Sequence, residues 1–251
     1  MQMTKKLSII SIAYNNYQGL RKTLKIFESN VFAEYLEIII VDGGSKDETP
    51  DYLAKQTITQ NWVSEPDKGI YDAMNKGLEM ATGDYVWFLN SGDYVYNTQV
   101  LATLIIALEN EPDACYGETM LVDTLGKEIG TRSDQTTRTL PSNLTWKSFK
   151  MGMNVGHQAF IVKRKLAEKY NTNYRHVADI DWMIATLRHC RTIINTKITL
   201  VCFTLDGHST KHRKASNRER FWVLGKYYGH IQNLWNHLKI GLNRVLLVKN
   251  S

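Results

Sequence analysis

The 251-residue sequence predicts an α/β fold built on a largely parallel sheet. Three observations predict it. Short isoleucine- and valine-rich runs alternate with segments of helical period through residues 1–95. The runs are apolar on both faces, as strands covered on both sides are. Each run also ends in a polar turn, the pattern of consecutive βαβ units.

The elements follow in order. Leu7-Ser8-Ile9-Ile10-Ser11-Ile12 reads as a buried strand, broken by Tyr14-Asn15-Asn16, and Leu20 to Phe27 has helical spacing. Leu36 to Val41 is apolar apart from Glu37 and forms a second strand, ended by Asp42-Gly43-Gly44-Ser45. Thr49-Pro50 reads as an N-cap and first helical turn. A brief strand at 61–63 precedes the turn Glu65-Pro66-Asp67-Lys68-Gly69. The next helix carries Ile70, Ala73, Met74, Gly77, Leu78 and Ala81 on one stripe. Gly83-Asp84 stops it, and Tyr85 to Leu89 is a fourth strand.

The second half is less regular. Thr98 to Leu108 predicts a helix, Ala114 to Val122 a strand, and Gly126 and Gly130 the turns of a hairpin. Residues 131–154 show no period and predict a mobile loop over the site. Gln158 to Val162 reads as a strand, Lys163 to Tyr170 and Ile180 to Leu187 as helices, Ile198 to Leu205 as a strand. From Asn217 the chain is expected to be helical, with Phe221, Trp222, Leu224, Ile231, Leu234, Trp235 and Leu238 set among lysines and arginines.

Composition bounds the possibilities. With 43% hydrophobic and 22% charged residues, a disordered or collagen-like chain is excluded. No apolar run approaches the roughly 18 residues of a spanning helix. The six-residue run after Lys6 is too short for a secretory signal. Cys115, Cys190 and Cys202 are odd in number and far apart, which argues against a disulfide framework and for a cytoplasmic protein. The net charge of +6 is uneven. Lys211, Arg213, Lys214, Arg218, Arg220, Lys226, Lys239, Arg244 and Lys249 face only Glu219 in the tail, leaving the body slightly acidic. Such a tail attracts an anionic partner or is simply a solvated face.

Ligands in sheets of this kind bind beyond the carboxyl ends of the strands. Here those ends are Tyr14-Asn15, Asp42-Gly43-Gly44-Ser45, Asp67 and Asn90-Ser91-Gly92-Asp93. Neither a GxGxxG nor a GxxxxGK[ST] motif is present, which disfavours a dinucleotide dehydrogenase or a P-loop NTPase. An anionic ligand would then need a cation. Asp93, at a strand end behind Gly92, is suited to hold Mg2+ or Mn2+, which take one or two carboxylates plus phosphate oxygens and water. It reads equally as a turn aspartate.

Ile10-Ser11-Ile12-Ala13-Tyr14-Asn15, Val41 to Asp47 and Phe88 to Asp93 together resemble the family-2 nucleotide-sugar glycosyltransferases of the GT-A fold. The run from Glu65 to Gly77 is similar to the branch that builds colanic acid, other bacterial exopolysaccharides and O-antigens. The resemblance is dense over residues 7–95 and thin onward to 210. It implies a single Rossmann-like, mostly parallel sheet flanked by helices. A GT-A catalytic domain over 1–210 would divide into a nucleotide-binding half (1–95) and an acceptor half (96–210). A basic, aromatic-rich helical segment over 211–251 would follow.

The same resemblance implies roles. Ala13, Tyr14, Asn15, Asp42 and Gly44 would meet the nucleoside, and Asp67, Lys68 and Asn75 the rest of the nucleotide sugar. Asp42-Gly43-Gly44 is otherwise a plain turn and Asn75 a solvated helix position. Asn90, Ser91, Gly92 and Asp93 stand where the family's Asp-x-Asp metal motif falls, with Asp93 the remaining carboxylate. Asp42, Asp67 and Asp93 are expected to gather on one rim around a pyrophosphate-bound cation. His157 and Gln158 would touch donor sugar or acceptor, His208 would add a metal or phosphate ligand, and Lys211 would close over the diphosphate.

Direct displacement at an anomeric carbon needs a base for the acceptor hydroxyl. Ala178-Asp179-Ile180-Asp181-Trp182 resembles the family's catalytic segment, with Asp179 ahead of Asp181 as the base. Asp179 also reads as a helix N-cap and Asp181 as a first-turn acid. The implied activity is inverting transfer from a nucleotide-diphosphate sugar to a glycan or polyprenyl-diphosphate-linked acceptor. Packing accounts for Phe221 and Trp222, and membrane contact is placed from Trp235 onward. A nucleotide-sugar-binding protein without turnover is the first rival. A nucleic-acid binder using the basic tail is the second, and it lacks the motifs such proteins carry.

Overall fold

A strand with no polar side is buried on both faces, and β1 (Leu7–Ala13) and β2 (Leu36–Asp42) are buried at every residue in the computed structural model. The structure describes residues 6–29, 31–59, 61–205 and 213–237. β1 and β2 pair in parallel from Leu7 opposite Leu36 to Ala13 opposite Asp42. β3 (Asn61–Ser64) adds in parallel outside β2, and β4 (Tyr85–Phe88) adds in parallel on the far side of β1. Four parallel strands thus bring their carboxyl ends to one edge.

The second half continues the same sheet with reversed strands. β8 (Phe160–Lys163) is antiparallel to β4, and β6 (Ala114–Val122) is antiparallel to β8. β9 (Ile193–Thr204) lies parallel to β6, β5 (Tyr94–Val95) closes the edge antiparallel to β9, and β7 (Glu128–Thr131) forms a hairpin with β6. Among the described residues this makes one mixed sheet of nine strands in the order β3-β2-β1-β4-β8-β6-β9-β5, with β7 off that path. The expected parallel order holds through β4. Antiparallel neighbours need no crossover helix, which suits the helix-poor stretch on either side of β8.

Helices cover both faces. Asn16 caps α1 (Tyr17–Leu24) by accepting from Gly19 N, and Asn97 caps α4 (Thr98–Glu109) by accepting from Val100 N. α2 (Thr49–Lys55) starts one residue earlier than its sequence suggests, with Glu48 at the cap and Asp47 accepting from Thr49 N. α3 (Ile70–Met80) lies close on β1 because Gly77 has no side chain, and a Cβ there would collide with Ile10 Cγ2. α5 (Arg132–Gln135) is a single turn, α6 (Ala178–Leu187) lines the site, and α7 (Arg213–Tyr228) precedes further helical residues 230–237. Val223 and Leu224 of α7 join the main core. At the opposite end of the sheet, buried Glu37 accepts from Ser8, Asn61, Thr82 and Gly83.

Several expectations are corrected here. The stripe of α3 holds at Ala73, Met74, Gly77 and Ala81, but at its start Tyr71 is buried in place of Ile70, which is 45% exposed. Residues 131–154 are not a loose loop, because Leu144 and Phe149 anchor them in the core and a 3-10 turn forms at Trp146–Met151. Gly130 lies within β7 and not in a turn. The helix expected from Lys163 to Tyr170 is only a 3-10 turn at Arg164–Leu166. Trp222 is 56% exposed, so packing does not account for it. The cysteines are free. Among the described residues no helix is long and apolar enough to cross a membrane.

Candidate active site

The loops after the parallel strands are tied to one another. Gly43 N donates to Ala13 O, Ser91 N to Ile12 O, and Glu65 N to Asp42 O. Asn15 takes a left-handed conformation (φ 46°), which lets its N–H donate to Ser45 Oγ at 2.7 Å while its Oδ1 accepts from Lys46 N at 2.7 Å. Asn16 Nδ2 donates to Ser91 O, and Ser91 Oγ donates back to Asn16 O. The loops after β1, β2, β3 and β4 therefore form a single rim.

Between this rim and α6 lies a cleft of about 640 Å³, within the range of small-molecule sites. Asn90, Ser91, Gly92 and Asp93 line it from the strand ends, His157 and Gln158 from the 3-10 turn before β8, and Asp179 from α6. Gly92 (φ 103°) makes the turn that presents Asp93. Thr23 holds this turn from α1, donating to Asp93 O at 2.6 Å and accepting from Gly92 N at 3.0 Å. Gln158 Nε2 donates to Asp93 Oδ2 at 3.0 Å.

Asp179 stands in the first turn of α6, with Val177 at the cap. Its Oδ1 accepts from Ile180 N at 2.9 Å and from Tyr71 Oη at 3.3 Å. Burial raises its pKa above the ordinary carboxylate value, against the opposing pull of these two donors and of the Arg220 charge. Tyr71, Tyr170 and Trp182 stack in sequence beneath it, with ring centroids 5.8 and 4.9 Å apart. An enclosed carboxylate with a raised pKa at a cleft wall is suited to accept a proton.

His157 belongs to the same aromatic floor. Its Nε2 lies 2.6 Å from Tyr170 Oη, and burial pulls its pKa down to about 4. It is therefore neutral at physiological pH and acts as a polar wall of the cleft, with no charge to offer a phosphate.

The geometry bears on four of the expected assignments. Asp181 faces away from the cleft and accepts from Lys226 Nζ and Tyr227 Oη, both at 2.9 Å, so it locks α6 to α7 and is not the base. Asn75 is tied to the Tyr170 backbone, donating to O at 2.9 Å and accepting from N at 2.8 Å, so it holds α3 to the segment before α6. Asp42 is fully buried and accepts from Ser45 and Ser64, so it braces the rim from within. The Ala13 side chain is likewise buried.

The three aspartates consequently do not surround one ion. Only Asp93 lines the cleft. Asp67 lies further along the rim, close against Gly43, where a Cβ would come within 2.5 Å of its Oδ2 and 3.3 Å of the Tyr14 ring. Gly44 (φ 78°) passes tightly over Pro66 in the same place. Tyr14 is 64% exposed, an open aromatic face beside these groups, and Lys68 is exposed next to them. His208 and Lys211 lie outside the described residues.

A hard divalent cation takes carboxylate and carbonyl oxygens. Asn90 Oδ1 is a buried acceptor in this cleft with no hydrogen-bond partner among the described residues, and Asp93 supplies the carboxylate. That pair fits Mg2+ or Mn2+ sharing its other positions with phosphate oxygens and water. Among the described residues no three His, Cys, Asp or Glu side chains converge on a metal site. The low charge suits a cation that arrives with a diphosphate.

Three features of the two clefts and their supports carry no signal of their own in the sequence. Tyr71 lies inside the Glu65–Gly77 run, where no spacing marks it. Thr23 carries no local signal, since its partners are 69 and 70 positions away. Arg132 and Arg138 fall in the stretch expected to be loose, and nothing in their spacing marks them.

The profile of Glycosyl transferase family 2 matches residues 8–170, more than half of the chain. An uncharacterized glycosyltransferase of Mycobacterium tuberculosis (strain ATCC 25618 / H37Rv) is 29% identical over 218 residues, covering 84% of this chain and 79% of the relative. A PGL/p-HBAD biosynthesis glycosyltransferase of Mycobacterium bovis (strain BCG / Pasteur 1173P2) is 34% identical over 160 residues, covering 59% of this chain and 57% of its own length. Among solved structures, S. aureus TarS 1–349 superposes with a TM-score of 0.68 at 16% identity, covering 93% of this chain and 72% of that one. Its complex with UDP gives a TM-score of 0.64 at 16% identity, covering 88% of this chain and 64% of that one. At such identity the likeness shows the fold alone. The match over residues 8–170 establishes that this chain belongs to Glycosyl transferase family 2.

Proposed function

We propose that the protein is an inverting, metal-dependent glycosyltransferase. It would move a sugar from a nucleotide-diphosphate sugar, of the UDP type, to a hydroxyl of a glycan or polyprenyl-diphosphate-linked acceptor in bacterial exopolysaccharide or lipopolysaccharide synthesis. One observation carries the reading: Asp179, a carboxylate with a raised pKa, and Asp93, beside an orphaned amide oxygen, line the same cleft. The UDP and UDP-GlcNAc complexes of the TarS neighbour support the donor class.

Each residue has a step. Tyr14 and Asp67 at the rim hold the nucleoside end, and Asn90 and Asp93 face the diphosphate. Asp179 takes the proton of the acceptor hydroxyl, whose oxygen bonds the anomeric carbon as the bond from that carbon to the diphosphate oxygen breaks. Attack from the side opposite the leaving group inverts the centre. A divalent cation at Asn90 and Asp93 would neutralise the departing diphosphate. Tyr71 keeps Asp179 aimed at the cleft.

The same reading places the protein in the cytoplasm, peripheral at the inner membrane face. Trp222, Ile231, Leu234 and Trp235 are exposed on the C-terminal helices among lysines and arginines, a surface suited to the lipid interface where such an acceptor resides. Unfolding in the presence of UDP, GDP or CMP, with and without Mn2+, tests the assignment, because a ligand that binds only the folded state stabilises it. UDP with Mn2+ is expected to give the largest shift. Silence toward all three nucleotides together with tight, salt-sensitive DNA or RNA binding would reverse it.

A further inference from the structure

Asp179 has a cleft on each side. Beyond the one that Asp93 lines, a second cleft of about 490 Å³ opens between α5, α7 and the start of α6, and both Asp179 and His176 line the two of them. The second is basic, with Arg132, Arg138 and Arg220 in its walls and Asp179 its one acid among the described residues.

The arginines are arranged for a guest. Arg132 donates from Nη2 to Met153 O at 2.7 Å, while its buried Nη1 has no hydrogen-bond partner among the described residues. Burial and the neighbouring Arg220 charge disfavour the charged guanidinium, and Glu118 and Asp179 offset this. Glu118 accepts from Thr119 N and Ser133 Oγ, and Glu219 accepts from Arg175 N and His176 N. Arg138 lies across Gly152 (φ 107°), where any Cβ would strike its guanidinium. Three guanidiniums, two from residues 132–138 and one from α7, match the spread oxygens and charge of a phosphate better than a single carboxylate, which one arginine can satisfy.

We infer that this second cleft seats a phosphate group of the acceptor through Arg132, Arg138 and Arg220, presenting the receiving hydroxyl to Asp179 where the two clefts meet. The inference rests on Asp179 being the base of the transfer reaction. It divides the labour of the site, with the donor diphosphate on the Asp93 side and the acceptor phosphate on the arginine side.

The test is thermal unfolding of the full chain, saturated with UDP and Mn2+, titrated with inorganic phosphate or with acetate at constant ionic strength. Phosphate is expected to raise the Tm beyond the UDP value. Arg138→Gln should need at least tenfold more phosphate for the same rise, with its UDP response unchanged. Arg132→Gln should do the same, and Arg138→Gln decides the matter if loss of the Met153 contact unfolds that variant. No added shift from phosphate, or an equal shift in Arg138→Gln, overturns the inference. Acetate acting as strongly as phosphate also overturns it, in favour of a carboxylate-bearing acceptor. Absence of any UDP shift defeats the donor-cleft reading separately, since a phosphate response that Arg138→Gln removes would survive it.

Discussion

Tyr71 Oη lies 3.3 Å from Asp179 Oδ1, joining the start of α3 to the start of α6 across 108 positions of sequence. The phenol is buried among Tyr170 and the aromatic floor, and burial together with the Asp179 charge raises its pKa far above the ordinary tyrosine range. It is therefore a permanent hydrogen-bond donor to the carboxylate. That bond stabilises the ionised form of a base whose pKa burial raises.

Replacing Tyr71 by Phe removes the donor and keeps the ring. The pKa of Asp179 should then rise further, and the acid limb of the pH–rate profile should move to higher pH. At neutral pH kcat is expected to fall about tenfold, the order of one hydrogen bond to a charged group. A profile that keeps its acid limb with unchanged kcat would remove Tyr71 from the mechanism.

Asp179→Asn should lower transfer by about 10²–10⁴-fold, the usual worth of a positioned base, while UDP binding persists. Stability should move the other way. A carboxylate whose pKa is raised on folding contributes stability below its unfolded value near about 3.9, and this is lost as pH rises through the folded value. Asparagine does not titrate. The variant should therefore gain on the wild type as pH increases from about 4 to about 7, seen as a growing difference in Tm.

Asp93→Ala should weaken the Mn2+-dependent part of the UDP-induced shift and leave the metal-free part nearly unchanged. Chelation with EDTA should bring the wild type to the same level. Identical responses of wild type and variant with Mn2+ present would place the ion elsewhere. The buried, unpartnered oxygen of Asn90 makes Asn90→Ala the companion experiment, with an effect in the same direction.

Asp181→Ala separates the two carboxylates of α6. Asp181 joins α7 through Lys226 and Tyr227, and the Lys226 side chain is half-exposed, so its charge can return to water. The expected loss is about 1–2 kcal/mol of stability, or a Tm lower by roughly 2–8 °C. Transfer per folded molecule should stay within about twofold, because no atom of Asp181 reaches the cleft. Loss of transfer matching that of Asp179→Asn would return Asp181 to the chemistry.

Much of the site was legible because strand ends are local. The runs from Leu7, Leu36 and Tyr85 each stop at a polar turn, and parallel pairing carries those turns to one edge. Side-chain direction was not legible. Asp42 ends β2 and Asp67 follows β3, yet one is sealed by Ser45 and Ser64 while the other reaches the open rim beside Tyr14. Nothing near Asn75 in sequence announces its two bonds to the Tyr170 backbone. Trp222 looked like core from composition, although the helix turns it to solvent.

The amino-acid order alone determined the α/β class, the polar strand ends and the candidate base segment at 178–182, because hydrophobic period and turn chemistry are properties of neighbours in sequence. Tertiary structure alone decided which of two aspartates two residues apart serves the cleft. Asp179 and Asp181 differ by about 200° around a helix of 3.6 residues per turn, and only the positions of Tyr71 and Lys226, brought from 108 and 45 residues away, say which direction is the cleft and which is the packed interface.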